Sequence, residues 1–215
     1  MIINHKYKFI FIHTPKCGGT SIKRALYPYC DRYDQFFGGH PDVPDGNNEI
    51  SKHSTAMEIK SFATLDRWET YFTFSFVRNP LSRIVSLYNW WHKTAGNFDP
   101  KLKADICNMS FKEFVFSDHT GPGQVEFLSS KLPKDTFVAD KNRLELDFIG
   151  KQENMNKDFA YICGLFRLPN LQLGKHNTSS KCTDFRDYYD DESRREIKRR
   201  YSEDFEAFNY KGSQE

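Results

Sequence analysis

The sequence predicts an α/β fold, in which a central and mostly parallel β-sheet is flanked by helices in three layers. Short β-branched and aromatic runs alternate along the chain with segments of helical periodicity, which is typical of sheets built from parallel strands. The chain has 215 residues, of which 38% are hydrophobic and 16% aromatic, so it is long enough to bury a core unaided. Because it contains no internal repeat and no low-complexity segment, we expect a single domain over residues 1–215.

The predicted elements follow one another in the order that such a sheet requires. Three apolar runs are predicted as strands, at residues 7–13, 70–77 and 146–150. Helical periodicity covers residues 22–26, 54–62, 80–91, 111–115, 154–166 and one continuous stretch after Asp190. Asn79 is predicted to cap the third of these helices, with Pro80 in the favoured first helical position. Residues 30–48 are rich in Asp, Gly and Pro and predict a long loop.

Charge and cysteine content exclude several classes of protein. The 31 basic and 29 acidic residues give a net charge of +2, which is too balanced for a general nucleic-acid binder. The five cysteines are scattered, so neither a disulfide framework nor a zinc site is expected. The N-terminal apolar run is short and broken by charged residues, which argues against a membrane span or a signal peptide. We therefore expect a cytoplasmic protein.

The segment between the first strand and the first helix has the composition of an anion-binding loop. Its sequence, from Pro15 to Ser21, is PKCGGTS. Paired glycines let backbone N–H groups approach an anion closely, and the helix N-terminus adds partial positive charge. Lys16 contributes a mobile cation, while Thr20 and Ser21 contribute hydroxyl donors. These groups together predict a cradle for a phosphate or a sulfate.

A nucleotide kinase is the main alternative for such a loop. A nucleoside-triphosphate loop has Lys-Ser or Lys-Thr after its last glycine, with the hydroxyl on magnesium. Here the lysine precedes the glycines, and the sequence contains no Gly-Lys-Ser or Gly-Lys-Thr. A ligand held without a metal is therefore favoured. A metal-dependent phosphotransferase and a non-catalytic nucleotide-binding module remain the alternatives.

A second basic segment follows the next predicted strand. Arg78 stands where this strand ends, and that edge of an open α/β sheet is where ligands bind. Ser86 lies less than two turns into the following helix, so it can face the same edge. An arginine fork with a hydroxyl group suits a dianionic monophosphate. Two such sites predict a ligand with two separated anionic groups.

Together, the two segments resemble the cofactor-binding segments of the sulfotransferases. They read HTPKCGGTSI from His13 and FVRNPLSRIVSLYNW from Phe76, and they are most similar to Golgi-type carbohydrate sulfotransferases and their bacterial relatives, which include the heparan sulfate 2-O-sulfotransferases. The resemblance implies a P-loop-like fold and 3′-phosphoadenosine 5′-phosphosulfate (PAPS) as the donor, with no metal. By position it implies that Arg78 and Ser86 bind the 3′-phosphate. The residues that it implies for the 5′-phosphosulfate are Lys16, which would also be catalytic, Cys17, Gly18, Gly19, Thr20 and Ser21.

A hydroxyl acceptor needs a general base, and histidine suits this role because its ordinary pKa lies near neutrality. The carbohydrate branch of the family has its catalytic histidine between the two cofactor segments, and the sequence KHSTA around His53 resembles the bacterial form. The resemblance therefore implies His53 as the base, with Glu58 and Asp118 as carboxylate alternatives. His13 ends the first strand and is expected to orient the turn.

The resemblance also implies a hydroxyl-bearing acceptor, for which a glycan is the expected class. Tyr88, Trp90 and Trp91 can stack on sugar rings, although at least one of these tryptophans is expected in the core. Family members often close the donor pocket with a late loop, which here would be residues 176–181, and an ordinary turn explains that segment equally well. Eukaryotic relatives carry an N-terminal membrane anchor that this sequence does not show, so a bacterial or otherwise cytoplasmic enzyme is expected.

Cys17 stands where threonine is commoner in this branch of the family. A thiol at a helix N-terminus beside a lysine has a lowered pKa and reacts faster with alkylating agents. We therefore expect Cys17 to be the most reactive cysteine and to be protected by a bound nucleotide. The alternative is a side chain that points into the protein and leaves only its backbone amide for the ligand.

Overall fold

The computed structural model describes residues 1–38, 50–93, 99–130, 144–169, 171, 173–174 and 184–211. The chain divides into two compact units, one formed by Met1–Val77 with Gln124–His176 and the other by Arg78–Gly123 with Asn177–Glu215. The first contains the sheet and the second is helical in its described part. The expected single domain over residues 1–215 stays a prediction. None of the helices in the described ranges is long and apolar enough to cross a membrane.

The sheet confirms the predicted α/β class. Its strands are β1 (Ile2–Asn4), β2 (Phe9–Ile12), β3 (Gln35–Phe36), β4 (Phe72–Val77) and β5 (Phe148–Lys151), in the order β3-β1-β2-β4-β5. Strand β4 is parallel to both β2 and β5, whereas β1 is antiparallel to both β2 and β3. Four of the five strands therefore share one direction, and the sheet is mostly parallel.

The helices alternate with these strands along the chain. They are α1 (Gly19–Leu26), α2 (Ala56–Ala63), α3 (Leu65–Thr70), α4 (Pro80–Lys93), α5 (Pro100–Asn108), α6 (Phe111–Phe116), α7 (Gln124–Leu128), α8 (Met155–Leu165), α9 (Asp191–Arg200) and α10 (Ser202–Ala207). Asn79 accepts a hydrogen bond from the backbone N–H of Leu81 at 3.0 Å, which confirms it as the cap of α4. Ser110 forms a capping box with Glu113 at the start of α6.

The core of the first unit is built from phenylalanines of the two central strands. Phe9 and Phe11 of β2 and Phe74 and Phe76 of β4 are fully or almost fully buried against residues of α1 and α8. Because successive side chains of a strand point to opposite faces, Ile10 and the other intervening residues of β2 face away from this cluster, and they are buried as well. Both faces of the central strands are therefore covered.

The second unit has its own core, which packs around helix α4. Leu81, Ile84 and Val85 of this helix are buried with Phe114 of α6 and Ile197 of α9. They recur at the three- and four-residue spacing of one helical face, as the sequence predicted. Helix α4 begins directly after strand β4, and the connection between these two elements consists of Arg78 and Asn79.

Some sequence-based predictions about the elements were wrong or incomplete. Residues 2–4 form strand β1, and residues 35–36 form β3 within the predicted loop, because pairing across the sheet makes strands of segments too short to show a period. The first long strand begins at residue 9, because Lys8 has a left-handed backbone (φ 53°). The C-terminal helix breaks at Tyr201, whose buried ring donates a hydrogen bond from its hydroxyl to the carbonyl of Gly121 at 2.9 Å.

Candidate active site

The loop between β2 and α1 has a strained backbone. Lys16 has a φ of 65° and Gly18 a φ of 82°, so two of three consecutive residues are left-handed. For a lysine this conformation costs on the order of 1–3 kcal/mol and persists where the surrounding structure demands it, which is commonly at a functional site. Turns that contain left-handed residues can direct successive N–H groups into one concave surface, where an anion binds.

The start of helix α1 lies at the end of this loop and has no competing cap. Gly18 is the N-cap residue, and no side chain accepts a hydrogen bond there. The first N–H groups of a helix have no partner within the helix, and they carry its partial positive charge. Thr20 and Ser21 lie in the first turn, the former half-buried and the latter buried. The helix start thus offers N–H and hydroxyl donors to an anion.

Gly19 is required by close packing, and Gly18 is favoured both by packing and by its left-handed φ of 82°. A Cβ atom at Gly18 would overlap with the thioether of Met155, and one at Gly19 would overlap with the imidazole ring of His13. Thr14, the residue before the loop, forms a hydrogen bond through its hydroxyl with the hydroxyl of Ser75 on β4 at 2.9 Å. The loop is therefore held between a strand, a histidine and the first turn of α8.

Cys17 points into the protein. Its side chain is 1% exposed, and its thiol donates to the amide oxygen of Gln124 at 3.2 Å and contacts the carbonyl of Pro15 at 3.4 Å. Gln124 is fully buried at the start of α7. The expectation that Cys17 is the most reactive cysteine is contradicted by this burial, because a thiol that reagents cannot reach does not react whatever its acidity.

Alkylation tests whether the Cys17 thiol is inaccessible to reagents. We expect iodoacetamide to modify half-buried Cys107 faster than buried Cys17, with no protection of Cys17 by nucleotide. Cys30 should also react slowly, because burial raises the pKa of its thiol to about 12. Mass-spectrometric mapping of labelled peptides measures all three rates. Faster labelling of Cys17 than of Cys107, together with protection by nucleotide, would show that the thiol is accessible after all.

His53 lies beside the loop, in the segment that leads into α2. Its Nδ1 is 3.1 Å from the backbone carbonyl of His13, and because a carbonyl only accepts, Nδ1 carries the proton. Nε2 therefore keeps its lone pair, as a general base requires. The two imidazole rings meet edge to face with their centroids 4.7 Å apart.

The surroundings of His53 keep it neutral. Although the residue is exposed overall, desolvation of its ring lowers the pKa of His53 to about 4, against the opposing effect of the His13 carbonyl. The positive charges of Lys52, Lys23 and the Met1 amino group lower it further. An imidazole with this pKa is unprotonated at neutral pH and can accept a proton.

The two carboxylate alternatives have different surroundings. Glu58 accepts hydrogen bonds from the backbone N–H and the hydroxyl of Thr55, at 2.7 and 3.1 Å, in the capping box that begins α2. Its carboxylate is thus engaged in a structural role. Asp118 is exposed in a 3₁₀ turn of the second unit. His53, by contrast, contacts His13, the residue that ends the strand before the loop.

In the second unit, Arg78 is oriented by a serine that sequence reasoning missed. The Nε of Arg78 donates to the hydroxyl of Ser82 at 2.8 Å, and this hydroxyl donates to the carbonyl of Asn79 at 3.1 Å. Ser86 is half-buried one turn further along α4, so it lies on the same helical face as Ser82. The four-residue spacing of Arg78, Ser82 and Ser86 is the sequence feature that could have indicated Ser82.

The predicted acceptor residues are only partly accessible. Tyr88 and Trp91 pack against the core of the second unit, which confirms that one tryptophan belongs there. Trp90 is half-buried, with its ring edge-on to Trp91 at 5.1 Å, and remains a candidate for sugar stacking.

The proposed late loop, residues 176–181, lies outside the described residues. Within the described ranges, no three His, Cys, Asp or Glu side chains group as a metal site, and a metal-free reaction stays a prediction.

The fold and the loop define an α/β protein with a glycine-containing turn and an uncapped helix start after its central strand. The chain belongs to the sulfotransferase family, because the family model described as "Sulfotransferase family" matches residues 1–211. This confirms the family that the two sequence segments resembled.

Individual relatives agree with this assignment. Carbohydrate sulfotransferase 10 of Xenopus laevis is 25% identical over 98% of this chain and 67% of its own length, and carbohydrate sulfotransferase 11 of Rattus norvegicus is 21% identical over 98% and 66%. This chain thus spans about two thirds of the length of these relatives. The crystal structure of mouse sulfotransferase SULT7A1 complexed with PAP is similar with a TM-score of 0.51 and 15% identity, covering 97% of this chain and 90% of that chain. This likeness confirms the P-loop-like fold.

Proposed function

We propose that this protein is a sulfotransferase that moves a sulfuryl group from PAPS to a hydroxyl group of a carbohydrate. The observation that carries the proposal is the loop after β2, where left-handed Lys16 and Gly18 lead into an uncapped helix start, beside the neutral imidazole of His53. Membership of the family supports the reaction. The name of carbohydrate sulfotransferase 10 supports the acceptor class, and the nucleotide PAP in the mouse structure supports the donor.

The loop residues suit the donor end of this reaction. In sulfuryl transfer, the bond from sulfur to the donor phosphate oxygen breaks while a bond to the acceptor oxygen forms, and negative charge develops on the leaving oxygen. We assign the loop N–H groups and the ammonium of Lys16 to stabilise this charge. Because the transferred group passes directly between two oxygens, positioning replaces covalent catalysis.

His53 suits the acceptor end. Its Nε2 would take the proton of the acceptor hydroxyl as the new bond forms, and Nδ1 would keep its proton because the His13 carbonyl accepts from it. Bound donor adds negative charge near the ring, which raises the pKa of His53 from its low value in the free protein and makes it a stronger base. The donor thus prepares the base for the transfer.

Calorimetry and an activity assay test the proposal together. We expect tight binding of 3′-phosphoadenosine 5′-phosphate (PAP) with and without magnesium, and transfer of radioactive sulfate from PAPS to members of a glycan panel. Binding that requires magnesium and a nucleoside triphosphate would instead indicate a phosphotransferase. PAP binding without transfer to any hydroxyl acceptor would indicate a nucleotide-binding module.

The cytoplasmic location stays a prediction.

The second segment leads to a prediction about donor affinity. Arg78→Ala should weaken PAP binding by about 1.5–3 kcal/mol, or roughly 10- to 150-fold, through loss of a charge-assisted hydrogen bond to the 3′-phosphate. Ser82→Ala should weaken it less, because the guanidinium stays but loses its orientation. Exposed Arg195 supplies the control, and Arg195→Ala should leave calorimetric affinity unchanged. Equal affinity of the Arg78 variant and the wild type would remove Arg78 from the site.

A further inference from the structure

His13 is an unusual residue for the end of a central strand. Its side chain is 3% exposed, and its Nδ1 is buried with no hydrogen-bond partner among the described residues. The ring stacks on Phe11 with centroids 6.0 Å apart. A buried polar atom without a partner carries a desolvation penalty, so its presence calls for an explanation. Burial also holds the pKa of His13 well below its ordinary value, so the ring is neutral.

The same residue contacts both parts of the candidate site. On one side its imidazole lies so close to the backbone of Gly19 that a Cβ atom there would overlap with it. On the other side its backbone carbonyl accepts from Nδ1 of His53 at 3.1 Å, and the two rings meet edge to face. The ring itself lies between Phe11 and the start of α1.

We propose that His13 is a positioning residue that holds the base and the donor loop as one unit. The buried ring keeps the carbonyl aimed at Nδ1 of His53, which selects the tautomer with a free Nε2, and it shields one face of His53 from water. The same ring holds the first residue of α1 in place. This inference rests on the proposed function for its catalytic consequence, but the contacts can be tested without any turnover.

The first test is an NMR titration of histidine in the wild type, in His13→Ala and in His13→Leu. In the alanine variant we expect the pKa of His53 to rise from about 4 toward its ordinary value of about 6.5, with loss of the single Nδ1–H tautomer. Leucine fills the space and excludes water, so the pKa should stay low. Lys52, Lys23 and the Met1 amino group also face His53 and are unchanged in every variant.

A histidine at the other end of the first two strands supplies the control. His5 shares a hydrogen bond of 2.9 Å with the hydroxyl of Tyr71, and His5→Ala should leave the spectrum of His53 unaltered. An unchanged pKa and tautomer of His53 in both His13 variants would overturn the proposal, whatever happens to turnover. If the proposed function itself fails, no variant turns over PAPS, yet the NMR result still decides about His13.

The contact with Gly19 can be tested separately. Gly19→Ala alone should lower the melting temperature, because its methyl group meets the His13 ring, and should weaken PAP binding. The same substitution in the His13→Ala background should cost much less, since the two changes compensate in volume. Strictly additive losses would show that the ring does not hold the loop.

Kinetics supply the last test. Turnover of His13→Ala should fall by about one to two orders of magnitude, which is typical of a misplaced reacting group, while the KM for PAPS changes by less than the turnover does. The acid limb of its pH profile should move upward with the pKa of His53. A loss confined to KM would contradict a role in positioning the base.

Discussion

His53→Ala is expected to bind PAP like the wild type and to lose between about 10²- and 10⁴-fold in turnover, the contribution of a positioned general base. The reason is that Nε2 of His53 keeps its lone pair while Nδ1 donates to the His13 carbonyl. Continuous or discontinuous assays with PAPS measure turnover, and calorimetry measures the binding of PAP. His92→Ala is the matched control, since the Nδ1 of this exposed histidine also lies within hydrogen-bond distance of a carbonyl, that of Tyr88 at 2.9 Å.

The pH profile distinguishes loss of a base from general damage. Protonated His53 cannot accept the hydroxyl proton, so wild-type kcat/KM for the donor should fall as the pH drops through the pKa of about 4. The limb in kcat should lie at higher pH, because bound donor raises this pKa. The residual rate of His53→Ala should lack this limb. Normal turnover of that variant, with inactive Glu58→Gln or Asp118→Asn, would move the role to a carboxylate.

Lys16→Ala is expected to lower turnover by about 10²- to 10³-fold, similar to the loss of one preorganised donor to a developing negative charge. PAP affinity should fall much less, because the loop N–H groups and the start of α1 remain. Lys16→Arg keeps the charge and should recover part of the rate. The ratio of the turnover loss to the affinity loss is the quantity to measure.

Lys8 offers a control that matches both charge and backbone. It is an exposed lysine with a left-handed φ of 53°, in the turn between β1 and β2, so Lys8→Ala changes the same side chain in the same conformation. We expect its turnover to equal that of the wild type. If Lys16→Ala retained wild-type turnover as well, Lys16 would have no part in transfer, and the assignment of the loop would be wrong.

Local patterns in the sequence were enough to predict the strand, the glycine-containing turn and the helix around Lys16. The strand before Lys16, the glycines and the first turn of α1 follow one another within a few residues, so their roles depend on local backbone geometry. The start of α4 was predicted equally well, because an Asn cap followed by proline is a local signal. The alternation of strands and helices was sufficient for the α/β class.

Other features depend on contacts between residues far apart in the chain, and only the tertiary structure decided them. Strands β1 and β3 exist because they pair across the sheet, since two or three residues show no period of their own. The thiol of Cys17 points inward because Gln124, distant in sequence, accepts from it. His53 is neutral because folding desolvates its ring, and its tautomer is defined because Nδ1 meets the carbonyl of His13, forty residues earlier. The residue types that the chemistry needs can be identified from short segments of the sequence. Their burial, which sets their orientation and pKa, arises only when distant segments pack together.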